Sequence, residues 1–286
     1  MRFEIRYAAE YRYPEPVTDS LNTVRVQPAV TSLQSLESFE LRVEPEARIQ
    51  ERRDYFGTDV LEFEIGDPHD RLSMFAHAEV LTEEPPAPPT GSWDAVGEER
   101  YRRLAGEFLL QDPTEMPAQN GLDDLVAGVC ESSPLETALR TTEAIPDRFE
   151  YQPGKTFVGS TVSDLLAAGG GVCQDFVHLG LILLRSHGIG ARYVSGFLFA
   201  APPDGGRDSV EVQTHAWIEA LLPPESGEPR WVGFDPTNRG FAGETHVKIG
   251  HGRNYQDVPP IRGVYRGPAA EHLEVAVKMR RRNGDG

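Results

Sequence analysis

Polar and apolar residues alternate from the second residue onward. In RFEIRYAAEYRY, Phe3, Ile5 and Tyr7 fall on one face and Arg2, Glu4 and Arg6 on the other, the period of a strand with one buried side. LNTVRVQP, FELRVEPEARIQERRDY, DVLEFEIG and RLSMFAHAEVLTEE continue the pattern to residue 84, broken by Pro, Gly, Asp and Asn. Strands so spaced predict an all-β, antiparallel sandwich over 1–84. Asp54, Tyr55, Phe56 and Gly57 read as a hairpin tip, a packed turn with two aromatics.

The pattern then changes. EEPPAPPTG, at 83–91, holds four prolines and reads as a stiff linker, with the boundary segment at 85–93. Helical spacing follows in EERYRRLAGEFLL, NGLDDLVAGVC and SPLETALRTTEAIPDRFEY. Ser133 with Pro134 after it is a good helix start. Cys130 falls on the apolar side of the second stretch, as a buried structural thiol would. Thr161 or Ser163 can cap the short helix SDLLAAG.

GGGVCQDFVHLGLILLRSHGI, at 169–189, is the most apolar helix of the chain. Phe176, Val177, Leu179, Leu181, Ile182, Leu183 and Leu184 cover most of its circumference, which predicts a buried helix. Gly188 before Ile189 reads as a left-handed C-cap. Strand patterns return in ARYVSGFLFA, VEVQTHAWIEALL, RWVGFDPT, GETHVKIGHGRNYQDVPPIRGVYRG and HLEVAVKMR, with PPDGGRD as a loop. Helices followed by successive strands define a segregated α+β unit over 94–286.

The chain has 286 residues and suits about two domains. Its formal net charge of −17 repels phosphate backbones and argues against nucleic acid or an anionic membrane as partner. The run Arg280, Arg281 and Arg282 reads as a loose tail. No apolar run approaches the ~20 residues of a membrane span, and the charged N-terminus lacks a signal-peptide core. A soluble, cytoplasmic protein is expected. The two cysteines, Cys130 and Cys173, are not expected to pair in a reducing compartment. A thiolate zinc site has no CxxC support. Gly154, Lys155 and Thr156 imitate part of a phosphate loop, but the earlier glycine it needs would stand where Phe149 does.

Cys173 opens the apolar helix behind three glycines. There the unpaired N–H groups and the helix dipole would favour a thiolate. A thiol nucleophile needs a base, and the base needs an orienting group. His178, five residues on, points about 140° away from Cys173 at 100° per residue. His215 is the better base. It alternates with Trp217 and Glu219 on one face of a strand, with Ala216, Ile218 and Ala220 on the other. Trp217 could shield the imidazole from water. Asp235 closes the next strand, before Pro236. The PPESGEP loop makes the two strands antiparallel neighbours, so Asp235 could accept from His215. Each residue alone is usually structural; their order and local settings point to a thiol site. A zinc site on His246 and His251 has poor geometry, since residues five apart face opposite sides of a strand.

Gly-Gly-Val-Cys-Gln-Asp-Phe at 170–176, Thr-His-Ala-Trp at 214–217 and Gly-Phe-Asp-Pro-Thr-Asn at 233–238 closely resemble the bacterial transglutaminase-like superfamily. The resemblance implies a papain-like fold, a central helix packed on an antiparallel sheet, with Cys173 as nucleophile, His215 as base and Asp235 as orienter. The first 85 residues resemble the β-rich region that accompanies this core in bacterial members, and GRNYQDVPPIRGVYRG resembles its C-terminal segment. The implied chemistry is acyl transfer from a peptide or carboxamide of a protein substrate through a thioester, hydrolytic rather than cross-linking. The Cys173 N–H would serve the oxyanion, with Gln174 or Tyr151 as second donor and Trp217 in the cleft. The alternative is a catalytically silent module that binds peptides or a protein partner. No cofactor is expected: with no EF-hand-like acidic loop, metal independence follows. Asp175 is expected to complement the helix N-terminus rather than join the triad. Oligomeric state is not legible.

Overall fold

A computed structural model describes residues 1–117, 121–200, 209–212 and 214–282. The loop expected at PPDGGRD lies outside the described residues. The N-terminal region carries β1 (Arg2–Val24), β2 (Gln34–Glu44), β3 (Gln50–Arg53), β4 (Asp59–Ile65) and β5 (His69–Thr82). Helices α1 (Trp93–Val96), α2 (Glu99–Ala105), α3 (Asp123–Val129) and α4 (Pro134–Arg148) follow, then β6 (Glu150–Tyr151), α5 (Val162–Ala168), β7 (Gly170–Gly171) and α6 (Cys173–Ser186). Last come β8 (Ala191–Leu198), β9 (Ser209–Val212), β10 (Thr214–Leu222), β11 (Arg230–Asp235), β12 (Gly240–Phe241), β13 (His246–Gly252), β14 (Ile261–Arg266) and β15 (His272–Arg282). The fold class is the α+β arrangement expected from the sequence.

RFEIRYAAEYRY and LNTV are one strand, β1, serving two parts of a sheet. Its first half pairs with β5 and β15, its second with β4 and β14. The register with β5 slips between Arg12 and Val17, where Pro14 and Pro16 lack the N–H a ladder needs. The inner face carries Phe3, Ile5 and Tyr7 as the alternation requires. They pack with Phe197, Val247 and Ile249 from β8 and β13, so the two sheets share a core. At the hairpin tip Asp54 Oδ1 accepts from the N–H groups of Phe56 and Thr58 at 3.0 Å. Phe56 lies against Phe108 and His251, whereas Tyr55 is exposed.

Two C-terminal stretches differ from the sequence expectation. HLEVAVKMR, read as completing the second unit, is β15, which pairs with β1 and carries β9 on its other edge. Buried Val277 and Met279 join the Phe3 cluster. Arg280, Arg281 and Arg282 are not a loose tail: they are in register with Glu4, Phe3 and Arg2, and the Arg282 guanidinium meets Glu4 at 2.6 Å. VEVQTHAWIEALL is two strands: β9 belongs to the first sheet and β10 to the second. Cys130 is exposed, because α3 ends at Val129, which takes the buried position.

The second sheet has the order β12-β11-β10-β8-β13, with α6 packed on it. Ala216, Ile218, Ala220 and Leu222 of β10 meet Val177, Leu181 and Leu184 of α6. The helix is buried nearly all round, as its composition demands. Its polar exceptions each have a hydrogen-bond partner. Arg185 donates to the carbonyls of Ala191, Leu110 and Arg253, and burial pulls its pKa down to about 10. His178 Nε2 accepts from the Tyr255 N–H at 3.3 Å. Gly188, at φ +75°, ends the helix in the left-handed cap, with the Ile189 N–H on the Leu184 carbonyl. Among the described residues no helix is long and apolar enough to cross a membrane.

Candidate active site

The glycine run sets Cys173 in place. Gly169 ends α5 at φ +69°. Gly170 lies so close to β6 that a Cβ there would stand 2.5 Å from the Glu150 carbonyl oxygen. The parallel pair β6–β7 aligns Tyr151 with Gly171, and α6 begins two residues later with Cys173. Gly170→Ala is expected to push β6 away, at a cost of about 1–3 kcal/mol, read as a lower denaturant midpoint at unchanged slope.

The first turn of α6 is held from below. The buried Asp175 carboxylate accepts from the Val172 N–H at 2.8 Å and the Thr156 hydroxyl at 2.6 Å. It complements the helix start and stands outside the triad, in keeping with the sequence expectation. Thr156, discarded as a phosphate-loop residue, thus ties the 152–161 segment to the helix tip.

Cys173 is half-buried and free. The Cys173 side chain acts on the imidazole of His215, at the open end of β10, and pulls its pKa up. His215 Nε2 donates to Asp235 Oδ2 at 2.8 Å. Nε2 being taken, Nδ1 is the nitrogen left for the thiol. β10 and β11 are antiparallel, with Ile218 opposite Phe234, which carries Asp235 to the His215 end. The three residues singled out from the sequence are brought together in the expected order.

Asp235 is fully buried yet held by five donors. Oδ2 accepts from His215 Nε2, from His246 Nε2 at 3.0 Å and from Asn238 Nδ2 at 2.7 Å; Oδ1 accepts from the N–H groups of Thr237 and Asn238. Burial opposes the charge, but the hydrogen bonds from His215, His246 and Asn238 outweigh it and hold the carboxyl far below its ordinary range. At His215 burial pulls the pKa down, but the hydrogen bond to Asp235, the Cys173 side chain and the charges of both raise it to about 9.

The remaining expected residues lie around this line. Tyr151 is 47% exposed and edge-on to Phe176 at 6.1 Å. Burial and the charges of Cys173, Asp235 and Asp175 raise its pKa, so its hydroxyl keeps a proton to donate. Gln174 is half-buried in the first turn of α6. Trp217, expected in the cleft, is 3% exposed. Its ring lies 25° from the plane of His215 and edge-on to His246, so it backs the imidazoles and shields them from water. His246 and His251 share no site: His246 lies on Asp235, and His251 beside Arg192 at 3.0 Å and Phe108. Burial, Lys248 and Arg192 pull the pKa of His251 down to about 3.

Sequence reasoning missed His246 and Asn238 as partners of Asp235. Asn238 carries a signal: three residues after Asp235, across Pro236, it can turn back onto the carboxylate. His246 carries none, since its place depends on the chain passing from edge strand β12 to the opposite edge strand β13.

A buried helix with a thiol at its tip, facing a histidine and a carboxylate on adjacent antiparallel strands, defines the papain-like class of fold. The bacterial transglutaminase-like N-terminal region matches residues 3–81 and the transglutaminase-like superfamily core matches 123–236. The chain belongs to the transglutaminase-like superfamily. It is 31% identical over 297 residues to an uncharacterized protein of Mycobacterium tuberculosis, covering 99% of this chain and 94% of that protein. To one of Mycobacterium leprae it is 31% identical over 283 residues, covering 98% and 99%. A candidate cysteine protease of Cytophaga hutchinsonii has the same fold, at a TM-score of 0.73 and 23% identity, covering 97% of this chain and 90% of that one.

Proposed function

We propose that the protein is a thiol acyl-transfer enzyme acting on a carboxamide or peptide carbonyl, with Cys173 as nucleophile, His215 as base and Asp235 as orienter. The observation that carries the reading is the hydrogen bond of His215 to the buried Asp235, with Cys173 acting on the same imidazole. His215 takes the thiol proton at Nδ1 while Nε2–H stays on Asp235. The sulfur attacks the carbonyl carbon, and the C=O pair moves onto oxygen. The first-turn N–H of Cys173 and a second donor, Gln174 or the protonated Tyr151, stabilise that oxyanion. Collapse expels ammonia or an amine, which takes the proton from His215, and leaves a thioester on Cys173. Water, deprotonated by His215, then releases the acid and restores the thiol.

Hydrolysis is favoured over amine transfer because Cys173 is half-buried and Tyr151 beside it is half-exposed, which gives water access to the acyl group. Mass spectrometry of carboxamide-bearing peptides, incubated with the full chain with and without a primary amine, tests both steps. Free acid is expected as the main product in both arms. Mainly amine-linked product overturns the hydrolytic reading; unchanged peptides in both arms overturn acyl transfer and leave a peptide-binding module.

A further inference from the structure

Asp235 Oδ2 meets two imidazoles. A triad needs one, and His246 contributes the second from the start of β13. Its ring is fixed from behind. The Gly243 N–H donates to His246 Nδ1 at 3.2 Å, and the Gly243 carbonyl accepts from the His246 N–H. An Nδ1 that accepts carries no proton, so the neutral ring bears its hydrogen on Nε2 and donates it to Asp235. Trp217 lies edge-on to the ring, centroids 5.2 Å apart, and the side chain is 8% exposed.

The same atoms could suggest a metal site, since His215, Asp235 and His246 offer ligand atoms within 4.8 Å of one another. The tautomer speaks against it. A metal-bound imidazole donates its second N–H outward, whereas His246 Nδ1 receives one from Gly243. Its Nε2 therefore keeps a proton and has no lone pair for a cation.

We propose that His246 is a positioning residue for the Cys173–His215–Asp235 set: a neutral imidazole, locked with its hydrogen on Nε2, that shares Asp235 Oδ2 and moderates the carboxylate's pull on His215. The inference rests on the thiol acyl-transfer reading for its purpose, not for its geometry. Each donor on a carboxylate oxygen spreads its charge and weakens its hold on the others. With His246 in place, His215 remains a base that can give its proton to a leaving amine. Without it, the full charge of Oδ2 falls on His215 and Asn238, and His215 keeps its proton to higher pH. Loose packing would act oppositely: a carboxylate turning away would let the pKa of His215 fall. The ionisable groups facing His215 are Cys173 from α6, Asp235 from β11 and His246 itself, with Tyr151 of β6 acting on the first two.

The test is nitrogen-15 NMR of the imidazoles in the full chain, with Cys173→Ala as background so that thiol chemistry does not enter. His246→Phe keeps an aromatic ring under Trp217 and removes the donor; His246→Gln supplies an amide donor instead. The His215 midpoint is expected to rise by about half a pH unit or more in His246→Phe and to return toward the parent in His246→Gln. A midpoint that stays or falls in His246→Phe overturns the proposal. Should the phenylalanine variant fail to fold, the parent spectrum decides: His246 is expected with its hydrogen on Nε2 at neutral pH, and a hydrogen on Nδ1 overturns the proposal. Neither readout requires turnover, so failure of the acyl-transfer reading is seen separately, in the peptide assay.

Discussion

Cys173→Ala is expected to abolish turnover of carboxamide peptides, with a loss on the order of 10³-fold or more, while the fold survives. The side chain is half-buried at the edge of the α6 cluster, so removing one sulfur costs little packing and the melting temperature should move by a few degrees at most. The protein supplies its own control. Cys130 is exposed at the end of α3 and serves as the internal reference. Peptide mapping after iodoacetamide treatment should find Cys130 labelled equally in wild type and Cys173→Ala. The Cys173 peptide should be labelled in wild type with a step in its pH–rate profile. His215→Ala should shift that step, because the imidazole that acts on Cys173 is gone. Turnover that survives in Cys173→Ala would sink the nucleophile assignment. A Cys173 profile that is the same in His215→Ala would sink the pairing.

The part of this site legible in the sequence is the part fixed by local rules. A glycine run, an apolar helix and a thiol at its start are set within about twenty residues. The His215–Asp235 pairing needs only a short loop between two strands. What was not legible depends on which strand meets which. Alternation in HLEVAVKMR shows that Val277 and Met279 share a face, but not that the partner is β1 at the other end of the chain. Cys130 turned outward because α3 stops one residue before it, and helix ends are the least certain feature of any pattern. His246 was visible only as a strand histidine; the crossing between opposite edges of the sheet puts it on Asp235.

Asp235→Ala is expected to be the most destabilising change at the site. It removes the acceptor of five donors at a fully buried position. The nitrogens of His215, His246 and Asn238 are left without that partner, at a cost of about 3–5 kcal/mol, a large share of a typical domain's stability. The pH dependence identifies the cause. The folded pKa of Asp235 lies below its unfolded value of about 4, so its contribution is present above about pH 4 and fades as pH falls from there. The folded pKa of His215 is raised to about 9, above its unfolded value of about 6.5. Its contribution is complete below about pH 6.5 and is lost as pH rises through 9. Both hold between about pH 4 and 6.5, where the stability gap between wild type and Asp235→Ala should be widest. Denaturation series from pH 3 to 10 would show the gap narrowing on both sides. A gap independent of pH would mean that Asp235 acts by shape alone and that the His215–Asp235 ion pair contributes nothing. Asp235→Asn separates the two terms. It keeps the volume, but its single oxygen can serve either the turn N–H groups of Thr237 and Asn238 or the two imidazole N–H groups and the Asn238 amide, not both. It should recover part of the stability and little of the thiol chemistry, with turnover down on the order of 10²–10⁴-fold, because a neutral partner no longer holds His215 in the tautomer that faces Cys173.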